Sequence, residues 1–210
     1  MSIKIVIADD HEIVRIGLKA LFERTNISVV GEAADGNAAY KVAKKHKPDL
    51  VLLDVRMPEV DGLSCLARLK LDLPKTHVLM FSSFDNPTYL ARALALGASG
   101  YLLKSVSPDK IVSAIRSVAN GDAIWAKEEL RRVSGALGAP SVTSDGDVQL
   151  TKREGEVLKQ LAFGLTNKEI AQALGISYET VKEHVQHILQ KLAVTDRTQA
   201  AVWAVRKNLV

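Results

Sequence analysis

An α/β domain with a doubly wound sheet of five parallel strands, followed by a small all-α domain, is the fold that three features of this 210-residue chain predict. Short apolar runs alternate with segments of helical period up to about residue 120, as strand and crossover helix do in a parallel sheet. Four of those runs end in carboxylates, a hydroxyl or a lysine. From Thr151 onward the strand-like runs cease and only helical patterns remain.

The first strand is Ile3 to Ala8, ending at Asp9 and Asp10. A helix follows from about Glu12 to Arg24, with Val14, Leu18, Leu21 and Phe22 on one face, then a strand around Ser28–Ala33 and a helix from about Asn37 to Lys45. Pro48 to Asp54 supplies the third strand. Its unbroken core, Leu50, Val51, Leu52 and Leu53, suits a strand buried on both faces. Pro58 and Asp61-Gly62 turn the chain out of the sheet. Next come a helix near Leu63–Leu71, a strand Val78–Phe81 ending at Ser82-Ser83, a helix Pro87–Leu96 capped by Asn86, and a strand Ser99–Leu103 ending in Lys104. Ser107-Pro108 then starts a last helix reaching about Ala119.

Composition narrows the class. Hydrophobic content of 47% and charged content of 25% describe an ordinary globular protein. No apolar run approaches the ~20 residues a bilayer demands and the N-terminus lacks a basic n-region, so a cytoplasmic protein with no membrane contact is expected. The lone cysteine, Cys65, has no partner for an intramolecular disulfide and reads as a small core residue of the helix after Gly62. Residues 1–125 carry 16 Lys and Arg against 14 Asp and Glu, residues 126–148 carry 3 against 4, and residues 149–210 carry 9 against 6. The C-terminal part is therefore the most basic per residue, a pointer to a polyanion.

The strand ends carry the chemistry. Asp54 alone fits either a helix cap or a reactive group, because ligands bind outside the carboxyl ends of strands in open α/β sheets. Asp9, Asp10 and Asp54 brought to one edge repel one another unless a cation joins them, and an all-oxygen site of this kind suits Mg²⁺. A hydroxyl at Ser82 and the ammonium of Lys104 beside it complete a phosphoryl acceptor: a carboxylate nucleophile with groups to hold the equatorial oxygens.

IADDH at Ile7–His11, LLDVRMPEVDG at Leu52–Gly62, MFSS at Met80–Ser83 and GYLLK at Gly100–Lys104 resemble the receiver domain of two-component response regulators. The resemblance implies a flavodoxin-like (βα)5 fold with strand order 2-1-3-4-5. It makes Asp54 the phosphoacceptor, phosphorylated by a cognate sensor histidine kinase. Asp10, Asp54 and the backbone carbonyl of Arg56 become Mg²⁺ ligands, with Asp9 acting mostly through water. Ser82 and Tyr101 match the paired switch residues, and Lys104 matches the lysine on the phosphoryl group.

Residues 126–148 contain SGALGAPSVTSDGD and read as a linker, with a short helix over Glu128–Val133 before it. In the second domain, residues 149–210, each helix has a start signal. Thr151 with Glu154 and Thr166 with Glu169 fit the capping box, Ser177 caps a third helix, and Asp196 with Gln199 fits a fourth. The short link Gly175-Ile176-Ser177, between helices at Asn167–Leu174 and Tyr178–Leu192, reads as a helix-turn-helix. Val181, Val185, Ile188, Leu189 and Leu192 form the buried stripe of the third helix; Glu179, Glu183, Gln186 and Gln190 lie opposite, flanked by Lys182 and His187. Spacing alone leaves this face open as either solvated surface or a reader of base edges.

Leu150 to Ala200 closely resembles the four-helix LuxR-type DNA-binding domain. With a receiver in front, the chain resembles the NarL/FixJ family over nearly its whole length. That resemblance implies a transcription regulator binding double-stranded DNA as a homodimer when active. It puts Lys182, Glu183 and Gln186 at base-reading positions and Thr166, Asn167, Lys168 and Thr180 where backbone phosphates are gripped. It also makes the last helix the dimer contact, with Val202 and Val205 in a run of apolar residues too long for one packing partner to cover. Two other classes fit less of the chain: an aspartyl-phosphate phosphatase, for which no substrate cap is present, and a helical module that binds protein. The protein is read as not an enzyme.

Overall fold

The structure is a computed structural model that describes residues 2–127, 130–131, 148, 150–207 and 209. By contact density the chain forms two compact units, Met1–Asp85 with Leu96–Ala126, and Asn86–Ala95 with Lys127–Val210. The sequence-predicted linker stretch from 132 to 147, and most of the short helix expected at Glu128–Val133, lie outside the described residues.

In the first unit five parallel strands, β1 Ile3–Ala8, β2 Ile27–Ala33, β3 Leu50–Leu53, β4 His77–Ser82 and β5 Gly100–Leu103, take the order β2-β1-β3-β4-β5. The order reverses between β1 and β3. This opens a crevice at their carboxyl ends, where Asp9 and Asp54 follow the last strand residues. The register Ala8↔Leu53 brings the ends of β1 and β3 to one level, Leu53↔Met80 carries β4 past them to Ser82, and Ser82↔Leu103 sets the end of the fifth beside the fourth. Leu50, Val51, Leu52 and Leu53 are all buried, as a strand covered on both faces requires.

Helices α1 Glu12–Phe22 and α5 Pro108–Ala119 cover one face, where Leu18, Phe22, Ile111, Ile115 and Val118 pack on Ile5, Ile7, Leu50, Leu52 and Leu79. On the other face α2 Gly36–His46 packs against β1 and β2, with α3 Gly62–Asp72 beside it. Cys65 is fully buried on α3, and burial pushes its thiol up to about 12, which makes it an inert core group.

The second unit contains α4 Pro87–Ala95 and four further helices, here α6 Lys152–Ala162, α7 Asn167–Leu174, α8 Tyr178–Lys191 and α9 Arg197–Arg206. Both expected capping boxes form: Thr151 and Thr166 accept from the amides of Glu154 and Glu169, whose carboxylates return to the cap amides. Ser177 caps α8 and Asp196 caps α9 through their side chains. Gly175 ends α7 with φ of 63°, the left-handed conformation that a helix C-terminus followed by a tight link calls for. Val157, Leu158, Leu161, Ile170, Val181, Ile188 and Leu192 make the core, with Val185 and Leu189 partly buried at its edge. Within this unit α9 packs against both α6 and α4.

Candidate functional site

The crevice at the end of β1 and β3 holds three acids and a lysine. Asp9 and Asp54 are buried, Asp10 is exposed, and Lys104, the residue after β5, reaches between the buried pair. Its ammonium lies 2.6 Å from Asp9 Oδ2 and 2.8 Å from Asp54 Oδ2. Burial presses the Lys104 ammonium down, yet the hydrogen bonds it donates to Asp54 and Asp9 outweigh it and the group ends above its ordinary value. Burial pushes the Asp54 carboxyl up; Lys104 offsets part of this, and the charge of Asp9 adds to it.

Asp54 is fixed from both sides. Its Oδ1 accepts from the Val55 amide at 2.7 Å while Oδ2 faces Lys104. The backbone is held at this residue and the next: the Asp54 amide donates to Ala8 O, and Gly62 donates back to Val55 O at 2.9 Å. The loop between them returns the chain directly onto the acceptor. Arg56, on that loop, lays its guanidinium over the Phe84 ring at 5.0 Å.

Asp9, Asp10, Asp54 and one residue the sequence reading did not single out, His11, each turn a ligand atom into the crevice, all within 4.8 Å of one another. Three hard carboxylates are a donor set that fits Mg²⁺. His11 was missed because a histidine after two strand-end acids reads as an exposed turn residue, and only the fold of the β1–α1 turn brings its ring back over the acids.

Ser82 is fully buried and its hydroxyl accepts from the Phe84 amide at 3.2 Å. Tyr101 is also buried, and its hydroxyl donates to Phe84 O at 2.6 Å. The two residues expected as a switch pair are thus tied to the same backbone segment.

In the second unit Glu179, Lys182, Glu183, Gln186, His187 and Gln190 are all exposed on α8, with Thr180 partly so. Thr166 and Lys168 are exposed at the start of α7, and Asn167 is half-buried between them. Val202 and Val205 behave differently from expectation. Both are buried, at 1% and 8% exposure, on a helix whose Ala200, Ala201 and Ala204 are buried too. The physical reason is that α9 packs on several helices of its unit, α6 and α4 among them.

An acidic crevice at the switch point of a flavodoxin-like sheet, joined to a helix-turn-helix unit, defines a class. Residues 5–116 match the family described as response regulator receiver domain, and residues 148–204 match bacterial regulatory proteins, luxR family. The chain belongs to the response regulators of the NarL/FixJ type, with a receiver domain and a LuxR-type DNA-binding domain. It is 43% identical over 213 residues to the transcriptional regulatory protein LnrK of Bacillus subtilis (strain 168), covering 97% of each chain. It is 40% identical over 211 residues to the response regulator protein VraR of Staphylococcus aureus (strain Mu3 / ATCC 700698), covering 100% of both. Among solved structures, RcsB from Salmonella enterica serovar Typhimurium, bound to promoter DNA in the presence of the phosphomimetic BeF3⁻, matches with a TM-score of 0.64 at 26% identity. That match covers 98% of this chain and 100% of RcsB.

Among the described residues no helix is long and apolar enough to cross a membrane.

Proposed function

We propose that Asp54 accepts a phosphoryl group from the phosphohistidine of a sensor kinase, and that this controls how the helix-turn-helix unit binds DNA. The observation that supports it is the state of the Asp54 carboxylate, buried at the switch point with one oxygen held by an amide and the other by Lys104. In the reaction an Asp54 oxygen forms a bond to phosphorus as the bond from phosphorus to the histidine nitrogen breaks. The leaving imidazole keeps the electron pair and takes a proton from water. Lys104 is placed to follow the charge onto the phosphoryl oxygens, and Ser82 supplies a hydroxyl on the neighbouring strand. Mg²⁺ held by Asp10, Asp54 and the Arg56 carbonyl, with Asp9 through water, would neutralise the incoming phosphate. Asp9 and Asp10 gather that charge before the donor arrives.

For DNA, α8 is the recognition helix. Lys182, Glu183 and Gln186 project from its exposed face toward base edges in the major groove. Lys168 is the exposed cation at the start of α7, where helix N–H groups also attract phosphate, with Thr166, Asn167 and Thr180 nearby in sequence or on the partner helix. The Thr166 hydroxyl is engaged by Glu169 at 3.0 Å, so its grip on a phosphate runs through the helix start and not the side chain alone. Glu183 can accept from cytosine N4 and repels phosphate, which makes it a determinant of sequence preference. The proposed division is 1–125 for the receiver, 126–148 for the linker and 149–210 for the DNA-binding domain. The protein acts in the cytoplasm as a regulator without an enzymatic turnover of its own.

Incubation with acetyl phosphate and Mg²⁺, read by intact mass, tests the assignment. The parent gains one acid-labile phosphate, Asp54→Asn gains none and Asp10→Asn gains little. Unchanged incorporation in Asp54→Asn overturns it.

A further inference from the structure

We propose that His11 is a cation ligand, and that it gives the acidic crevice a preference for first-row transition divalent cations such as Mn²⁺ over Mg²⁺. The inference rests on reading Asp9, Asp10 and Asp54 as a cation site and adds a donor to it.

His11 is the residue before α1, and its imidazole makes no capping hydrogen bond to that helix. Its backbone does other work. The His11 amide donates to Asp9 Oδ1 at 2.9 Å, which folds the turn after β1 tightly and returns the ring toward the strand end. As a result Nδ1 stands 2.7 Å from Asp10 Oδ1 and 3.4 Å from Asp9 Oδ1. Two neighbouring donors on an octahedral ion with bonds of ~2.1 Å are separated by about 3 Å, and the 2.7 Å between Nδ1 and Asp10 Oδ1, the direct ligand of the two acids, is close to that spacing. The ring nitrogen therefore already stands beside Asp10 at about the spacing of a fellow ligand. With 64% of its side chain exposed it can make the small remaining adjustment without repacking the core.

The chemistry then sets the selectivity. Carboxylates and water serve Mg²⁺ and Mn²⁺ about equally well, whereas an imidazole nitrogen suits first-row transition ions and adds little for Mg²⁺, which holds its waters. A site of three acids alone would discriminate weakly. One with His11 in the tautomer that leaves Nδ1 open would favour Mn²⁺. The rival arrangement keeps His11 outside the coordination sphere as a hydrogen-bond donor to Asp10, and it predicts no direct nitrogen contact.

Calorimetric titration of the full chain with Mn²⁺ and with Mg²⁺ measures the preference, and nitrogen modulation of the electron spin echo of bound Mn²⁺ reports the ligand. His11→Gln should weaken Mn²⁺ binding by about tenfold, the lower end of what losing a group around a metal costs, and leave Mg²⁺ within about twofold. The ¹⁴N modulation present in the parent should vanish in His11→Gln. It should vanish also in Asp10→Asn, which ties the signal to this crevice and not to another histidine. Equal Mn²⁺ affinity in His11→Gln, or modulation that survives either substitution, overturns the role of His11 while leaving the carboxylate site intact. No saturable binding of either ion by the parent overturns the cation-site reading and this inference with it.

Discussion

At Gly62 an added Cβ would stand 1.8 Å from the carbonyl oxygen of Asp54, far inside any real contact, so the residue after the turn must be glycine for the acceptor's own backbone to sit where it does. Gly62→Ala is therefore expected to displace Asp54 and to lower the rate of phosphorylation by acetyl phosphate, with a loss of stability of about 1–3 kcal/mol from overpacking. Intact mass over time and a denaturant titration check the two effects, and a parental rate would show that the loop yields. Ser82 and Tyr101 meet at Phe84, one hydroxyl accepting from its amide and the other donating to its carbonyl. A phosphoryl oxygen competing for Ser82 would release one of those two ties, a local change with a longer reach. Ser82→Ala should still accept phosphate yet lose most of the phosphorylation-dependent change in DNA affinity, measured by fluorescence anisotropy; full retention of that change rules out this route. The acids and Lys104 were legible because each follows an apolar run. The demand on Gly62 was not, because Asp61-Gly62 also spells an ordinary turn and the clash depends on how closely that turn returns to β3.

Helices were readable where a start signal stands next to an apolar period, and their energetics were less so. Thr151, Thr166, Ser177 and Asp196 all cap through their side chains, whereas Ser107 precedes α5 without a side-chain cap bond and leaves the start to Pro108. Glu154 does more than its capping box announces. Its Oε2 also lies 2.6 Å from Lys191 at the end of α8, a partner 37 residues away that no local pattern could name. The Lys191 hydrogen bond, helped by the Thr151 amide and hydroxyl, holds the Glu154 carboxyl down to about 2. Because that value lies below the ordinary 4.5, the pair stabilises the fold fully above about pH 4.5, and the contribution drains away as pH falls toward 2. Glu154→Gln keeps an oxygen for the Thr151 amide and loses the charge, so it should cost about 1.5–3 kcal/mol at neutral pH and progressively less in acid. Urea titrations by circular dichroism at pH 7 and pH 3 check this; an equal loss at both would place the effect in packing.

For the whole molecule, the strand–helix alternation followed by helices alone was enough to anticipate a five-stranded parallel sheet and a helical unit, because the period changes from one to the other near Thr151. What pattern could not supply was the partner of α9. A run of six apolar residues from Ala200 to Val205 points all round a helix, and the expectation is that its surplus faces a second copy. In the structure Val202 and Val205 are buried within a unit that includes α4. A second copy docking on the face of α9 that meets α4 would have to displace α4, since one face cannot pack on both. It follows that a fragment from Gln149 onward, which lacks α4, should leave Val202 and Val205 uncovered and self-associate through them with twofold symmetry, as a self-complementary patch does. Sedimentation velocity over a range of concentrations measures that association without any knowledge of the operator. Val202→Glu would bury an unpaired carboxylate in such a contact at a cost of about 3–5 kcal/mol, which weakens association by about two orders of magnitude or more. Circular dichroism of the same samples shows whether the fragment stays folded. Equal self-association of folded parent and folded Val202→Glu would place the contact between copies somewhere other than α9.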